Sequence, residues 1–350
     1  MDVLISVVIP TYNVEAYIED CLNSVYSEVG SSGEDIEIIV VDDYSTDDTV
    51  AILKTFQQHA NFRLVISGIN AGPGVARNHG VAISQGKYIL FLDGDDQLSP
   101  GSMGGIRSAL CDREVDILAY NWSPLREAIS DNTNLLLGYR RDFGFIQGAR
   151  QELIKAFLSM SIDGSVIYTM VRKQLLVDYD IKFKLGFFED IPYIFQVYWF
   201  ARSMQVLKKP IYLKRTRDGS ILQTISSKHL SDYLDSWSCI WRFVERKYSG
   251  DSKDLLFSFQ KGIRGIFAIL ILKVLRSDSS TEEKIQYLHV LDVKYKALFF
   301  EIYNSMPSVI ETKYDFLFEN FHNNSLNYCF ENGEKRLRNF YELANNLELI

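Results

Sequence analysis

The chain has 350 residues, 47% hydrophobic and 23% charged, with a formal net charge of -8. That length suits two domains, or one large domain with an extension, and the acidic balance excludes a broad nucleic-acid surface as the first reading. The four cysteines, Cys21, Cys111, Cys239 and Cys329, form no CxxC pair, which argues against a zinc or redox motif and suits free thiols in a reducing compartment. The short apolar start is interrupted by Ser6 and Pro10 and reads as a strand, not a secretory signal. A cytoplasmic protein is the expectation.

Residues 4–9 read as a buried strand stopped by Pro10. A helix follows, with Val14, Tyr17, Ile18, Cys21, Leu22 and Val25 at helical spacing and Asn13 as its expected N-cap. Residues 36–41 form a second strand ending in Asp42-Asp43, and Ser45 with Asp48 supplies a Ser-x-x-Asp start for a second helix. A short strand over 64–66 comes next. A helix over 74–85 follows, which Gly86 is placed to terminate. Residues 88–92 are a fully apolar strand ending at Asp93. This alternation implies a Rossmann-like, mostly parallel sheet with helices on both faces. In such sheets ligands bind beyond the carboxyl ends of the strands, and the polar clusters here follow Ile9, Val41 and Leu92.

Further strands are expected over 116–120, 166–171 and 206–213, and from about residue 228 the pattern is helical. The expected division is a domain over 1–228, with a nucleotide-binding half 1–110 and an acceptor half 111–228, and a helical region over 229–350. The apolar stretch 265–272, with Arg264, Lys273 and Arg276 around it, falls short of the ~20 residues a membrane helix needs. A buried core helix and a helix lying on a membrane surface both fit it.

Asp93-Gly94-Asp95-Asp96 is the sharpest chemical feature. Alternate residues of an extended chain share a face, so Asp93 and Asp95 can act together. Adjacent carboxylates repel, and a hard divalent cation such as Mn²⁺ or Mg²⁺ relieves that repulsion. A plain acidic turn is the competing reading. After the other strands, Asp42-Asp43 can accept from a base N–H or a ribose hydroxyl, or cap the next helix. In Pro10-Thr11-Tyr12-Asn13, Tyr12 can stack on a base, or the segment can be a simple turn. Residues 70–80, from Asn70-Ala71-Gly72-Pro73-Gly74 to Arg77-Asn78-His79-Gly80, open a helix whose small residues allow close approach to a ligand, with Arg77 offering a fork of donors. Neither GxGxxG nor the P-loop pattern fits here. Phe187-Phe188-Glu189-Asp190-Ile191-Pro192 places two carboxylates beside aromatics, which suits a general base and equally suits a helix start before Pro192.

Together these segments resemble the family 2 glycosyltransferases of the GT-A fold, of the bacterial polysaccharide type. The resemblance is carried by Ser6 through Asn13, Val41-Asp42-Asp43-Tyr44-Ser45, Asn70 through Gly80, Phe91-Leu92-Asp93-Gly94-Asp95-Asp96, Phe188-Glu189-Asp190, and Lys214-Arg215-Thr216-Arg217-Asp218-Gly219-Ser220. It covers roughly residues 4–225, with the helical region as a C-terminal extension. It implies an inverting transfer from a nucleotide-diphosphate sugar, UDP-linked by family habit, to a hydroxyl of a glycan or lipid-linked acceptor. Pro10, Thr11, Tyr12, Asp42, Asp43, Asn70 and Gly72 would surround the nucleotide, with Arg77 facing the ribose and diphosphate. Asp93 and Gly94 would contact the donor, and Asp95 with Asp93 would hold the metal; His229 could complete that site, as a downstream His does in some GT-A enzymes, or be an ordinary exposed or core histidine. Asp190 would be the base, supported by Glu189, and Arg215 and Ser220 would lie near the diphosphate. Tyr44 departs from the Gly usual after the Asp pair, and residues 167–170 depart from an aromatic and a Lys. The helical region would shape the acceptor site, form a homo-oligomer or rest on the inner face of the membrane. Rival readings are a sugar nucleotidyltransferase, whose Gly-rich phosphate loop is not found after Ile9, and a degenerate nucleotide-sugar binding protein.

Overall fold

A computed structural model describes residues 3–29, 35–125, 145–147, 150–162, 164–215, 225–248, 253–304, 312–325 and 333–350. The chain divides into two compact units, residues 1–150 with 163–217, and residues 151–162 with 218–350.

The first unit is built on a sheet of nine strands among the described residues, in the order β3-β2-β1-β4-β8-β6-β9-β5, with β7 (Phe145–Gln147) paired to β9. Strands β1 (Ile5–Thr11), β2 (Ile36–Asp42), β3 (Phe62–Ile66) and β4 (Tyr88–Phe91) run parallel. Every residue of β1, β2 and β4 is buried, as continuous apolar strands covered on both faces should be. The intervening helices are α1 (Ile18–Val29), α2 (Thr49–Thr55) and α3 (Pro73–Ile83). The register pairs Thr11 with Asp42, and Val8 with Phe91, so the loops after β1, β2 and β4 emerge at one edge.

Beyond β4 the sheet is mixed, so the parallel expectation holds only for the first four strands. β8 (Thr169–Arg172) is antiparallel to both β4 and β6 (Ile117–Pro124). β9 (Ser203–Lys214) runs parallel to β6, and β5 (Gln97–Leu98) antiparallel to β9. β5 and β8 are too short for periodicity to reveal their direction. The helices here are α4 (Ser102–Asp112), α5 (Arg150–Leu158), α6 (Lys173–Asp178) and α7 (Asp190–Phe200).

Three local expectations are corrected. Asn13 does not cap α1, which begins at Ile18; its side chain accepts from the Thr46 N–H and joins the loops after β1 and β2. Ser45 caps nothing and donates to Asp42, while Asp48 occupies the N-cap of α2 without a side-chain bond. Gly86 is not the terminator of α3, whose C-cap is Ser84. Instead, a Cβ at Gly86 would lie 2.4 Å from Ser6 Oγ, so the glycine permits a close crossing over β1.

The second unit contains 151–158 of α5 with α8 (Ser227–Lys247), α9 (Lys253–Arg276), α10 (Thr281–Leu298), α11 (Phe300–Asn304), α12 (Lys313–Ser325) and α13 (Gly333–Asn346). α9 is its core. Phe259, Ile263, Phe267 and Ile271 are fully buried, and a Cβ at Gly262 would lie 2.0 Å from the Leu158 carbonyl oxygen. Among the described residues α9 alone is long and apolar enough to span a membrane, yet most of it lies inside the bundle. Of the basic residues that suggested a membrane surface, Arg264 is buried, Lys273 is half-buried and Arg276 is exposed. Arg264 Nε pairs with Asp315 Oδ1 at 2.8 Å, Arg276 donates to the Leu349 carbonyl, and burial lowers the pKa of Lys273. Of the two readings of this stretch, the structure favours the core helix.

Candidate active site

The chain leaves β4 into the turn Asp93-Gly94-Asp95-Asp96. A Cβ on Gly94 would lie 3.0 Å from Thr11 Cγ2, so the turn presses against the end of β1. Asp96 is buried and structural. Tyr212 donates its hydroxyl to Asp96 Oδ2 at 2.6 Å and accepts the Asp93 N–H at 3.1 Å, and the Arg215 N–H reaches Asp96 Oδ1 at 2.6 Å. Burial, then the charges of Asp93 and Asp95, push the Asp96 pKa up to about 7. The turn thus consumes one of its three carboxylates and leaves Asp93 and Asp95 half-buried beside it.

These residues fit a divalent cation. Their oxygens are hard donors of the kind Mn²⁺ or Mg²⁺ takes, and their charges add to burial in raising the neighbouring Asp96. No group of three or more His, Cys, Asp or Glu suited to a metal occurs among the described residues. A cation held by one or two carboxylates together with substrate phosphates needs no such group. His229 lies in the first turn of α8 in the second unit, where its Nδ1 lies 2.7 Å from Ser226 Oγ.

Arg215 extends from the end of β9 under the same turn. Its Nε donates to the Asp95 carbonyl at 3.0 Å, its guanidinium lies 4.8 Å from the Tyr17 ring centre, and Nη2 is 3.8 Å from Asp20. It braces the acidic turn against α1. Ser220 lies outside the described residues.

Arg77, one turn into α3, joins the acidic turn to the second carboxylate pair. Nη2 donates to Asp93 Oδ1 and Nη1 to Glu189 Oε1, both at 2.8 Å. The resemblance implied that Arg77 faces the ribose and diphosphate; in the structure two of its nitrogens are held by carboxylates, and its buried Nε has no hydrogen-bond partner among the described residues. Burial works against the charge, but Asp93, Glu189 and Asp190 outweigh it and hold the Arg77 pKa up. Glu189 is raised by its own burial, against the pull of Arg77. The glycine at position 74 makes room for this contact, since a Cβ there would lie 2.6 Å from Glu189 Cγ. Asn78 grips the same segment, donating to the Phe183 carbonyl and accepting the Phe183 N–H, both at 2.9 Å.

The segment from Phe183 reaches Glu189 through two positive-φ residues, Gly186 at 115° and Phe188 at 58°. A bulky L-residue there costs about 1–2 kcal/mol, and such strain concentrates at functional sites. Glu189 holds the N-cap position of α7 but makes no capping bond, because its carboxylate turns to Arg77. Asp190 is the first residue of α7, where the helix dipole favours a negative charge. The helix-start reading of Glu189-Asp190 therefore describes the backbone and not the work of the Glu189 side chain.

At the ends of β1 and β2, Asp42 is fully buried and its carboxylate accepts from Thr11 Oγ1, Ser45 N and Ser45 Oγ. It fixes the loop. Asp43 is also buried, with one oxygen accepting from the Ala71 N–H at 2.9 Å and the other from Gly72 at 2.7 Å. Gly72 supports this with φ of 90°. Pro10 is buried at the end of β1, while Tyr12 and Asn70 are exposed. The sequence offered no signal for Tyr212, a member of an ordinary apolar run. Asn78 lay inside a recognised motif with no role attached.

Residues 6–157 match the model of glycosyl transferase family 2. The glycosyltransferase GlyA of Streptococcus pneumoniae is 28% identical over 246 residues, 68% of this chain and 34% of GlyA. The putative glycosyltransferase EpsH of Bacillus subtilis is 27% identical over 228 residues, 64% of each chain. This chain thus spans about a third of GlyA and just under two thirds of EpsH. In structure it is similar to S. aureus TarS 1-349 in complex with UDP-GlcNAc, with a TM-score of 0.72 at 20% identity, covering 97% of this chain and 92% of that one. The shared architecture is the GT-A fold with a helical C-terminal region.

Proposed function

We propose, from the match of residues 6–157 to glycosyl transferase family 2, that this chain transfers a hexosyl or N-acetylhexosaminyl group from a UDP-sugar, with inversion, to a hydroxyl of a glycan or lipid-linked acceptor in the synthesis of a bacterial surface polysaccharide. The observation that carries this reading is the Arg77 bridge. One buried guanidinium ties the acidic turn after β4 to the carboxylate pair at the start of α7. In-line transfer puts the leaving group and the incoming hydroxyl on opposite sides of one anomeric carbon, and this bridge holds the two carboxylate groups close enough to serve one such site. The first relatives all carry transferase names. TarS is a poly(ribitol-phosphate) beta-N-acetylglucosaminyltransferase, which favours an N-acetylhexosamine donor and a cell-wall polymer acceptor here.

In this reading Asp43 accepts from the base, Tyr12 stacks on it, and Asp93 contacts the donor. Asp93 and Asp95 would hold Mn²⁺ or Mg²⁺, which when bound neutralises charge on the leaving diphosphate. Asp190 takes the proton of the acceptor hydroxyl as its oxygen attacks the anomeric carbon, and the sugar–phosphate bond breaks with the electron pair leaving on the nucleoside diphosphate. Glu189 keeps Arg77 in place and so keeps Asp93 in place. We place these events in residues 1–228, on the cytoplasmic side of the membrane.

The test is transfer from UDP-GlcNAc and UDP-glucose, in Mn²⁺, to polysaccharide precursors of a producing bacterium. General-base help is worth roughly 10²–10⁴-fold, so Asp190→Asn should lose about that much turnover while binding UDP as the parent does. Full turnover in Asp190→Asn would remove the base assignment.

A further inference from the structure

The end of the nucleotide region contains an aromatic that no motif requires. Tyr44 follows Asp43 with φ of 69°, a left-handed backbone that favours Gly or Asn and strains a bulky side chain. It is 52% exposed, and Tyr12, at the end of the adjacent strand, is 47% exposed. Neither ring has a hydrogen-bond or ring partner among the described residues. The strand ends that carry them are held in fixed register: Thr11 pairs with Asp42, and the Asp43 N–H donates to the Thr11 carbonyl at 2.8 Å. The two loops are then fastened to each other, the Asn13 N–H to Ser45 Oγ at 3.0 Å, the Thr46 N–H to Asn13 Oδ1 at 2.8 Å and the Glu15 N–H to Asp47 Oδ2 at 3.1 Å. Asp43 precedes Tyr44 in the chain, and its N–H bond to the Thr11 carbonyl joins it to the residue before Tyr12. Each of its carboxylate oxygens takes one backbone N–H, which leaves lone pairs for a ligand donor.

Strained, exposed and unpartnered bulky residues are retained where a ligand uses them. We propose that Tyr44 is a second aromatic wall of the nucleobase pocket. It gives a face to a base whose ring N–H is taken by Asp43 and whose other side is covered by Tyr12. This rests on the donor reading above and adds to it Tyr44, which stands where the resemblance expects Gly.

The experiment is calorimetric titration of the full chain with UDP in Mn²⁺, comparing the parent with Tyr44→Asn, Tyr44→Gly and Tyr44→Phe. Asn and Gly suit a positive φ, and relief of that backbone strain offsets the contacts of a half-exposed ring, so neither should lower the melting temperature by much. Stacking of a base on an aromatic is worth enough that Tyr44→Asn and Tyr44→Gly should bind UDP about tenfold more weakly. Tyr44→Phe keeps the face and should bind as the parent does. Parent-like affinity in Tyr44→Asn, or an equal loss in Tyr44→Phe, overturns the proposal while leaving the donor reading intact. A parent that binds no UDP overturns both.

Discussion

Removing the guanidinium of Arg77 would leave Glu189 buried without the cation that now offsets its charge. Both side chains are 8% exposed, and breaking a pair this buried typically costs about 3–5 kcal/mol. We expect Arg77→Ala to lose stability on that order in urea unfolding. Arg77→Lys should not restore it, since an ammonium lacks the planar fork that reaches two carboxylates. The deficit should depend on pH. The Glu189 pKa already lies above its ordinary value of 4.5, raised by burial and opposed chiefly by Arg77, so loss of Arg77 lifts it further. A carboxyl raised in the folded state keeps its stability below the unfolded pKa and loses it as pH rises through the folded one. The deficit of Arg77→Ala should therefore be smallest near pH 4.5 and grow toward neutrality. A deficit independent of pH would show that Glu189 is not the group left exposed to the loss.

The elements that matter most are the ones whose glycines have neighbours. Gly80 lets α3 lie directly on β1: a Cβ there would meet Val8 Cγ1 inside any allowed contact, at 2.3 Å. Gly80→Ala should cost about 1–3 kcal/mol through overpacking, measured by thermal unfolding, and an unchanged melting temperature would contradict the close packing. The parallel strands β1 to β4 and their helices were legible in the sequence because continuous apolar runs alternated with helical spacing. The pairing of β8 and β5 was not, since four and two residues carry no directional signal. In the site, residue types and their order were legible, but their partners were not. Arg77 belonged to a recognisable segment, yet nothing local shows that its fork closes on Asp93 and on Glu189, far along the chain. Asn13, Ser45 and Gly86 were each read as helix punctuation, because cap chemistry and cross-loop chemistry use the same residue types.

At the scale of the whole chain, the two units differ in how much of their meaning is local. The helical unit was readable as helices, but its core-or-membrane alternative turned on Arg264, whose partner Asp315 sits on another helix. The first unit brings the ends of β1, β2, β4 and β9 together with the starts of α3 and α7. Function is proposed from that cluster, with a donor at the ends of β1, β2 and β4 and an acceptor base at the start of α7. The most direct measurement is calorimetric titration with UDP, GDP, CDP and dTDP, each with Mn²⁺ and with chelator, on the parent and on Asp95→Ala. We expect the parent to bind UDP in Mn²⁺, and binding to fall away with chelator and in Asp95→Ala. Binding of none of the four, or UDP binding indifferent to both chelator and Asp95, would contradict a metal-assisted nucleotide-sugar transferase.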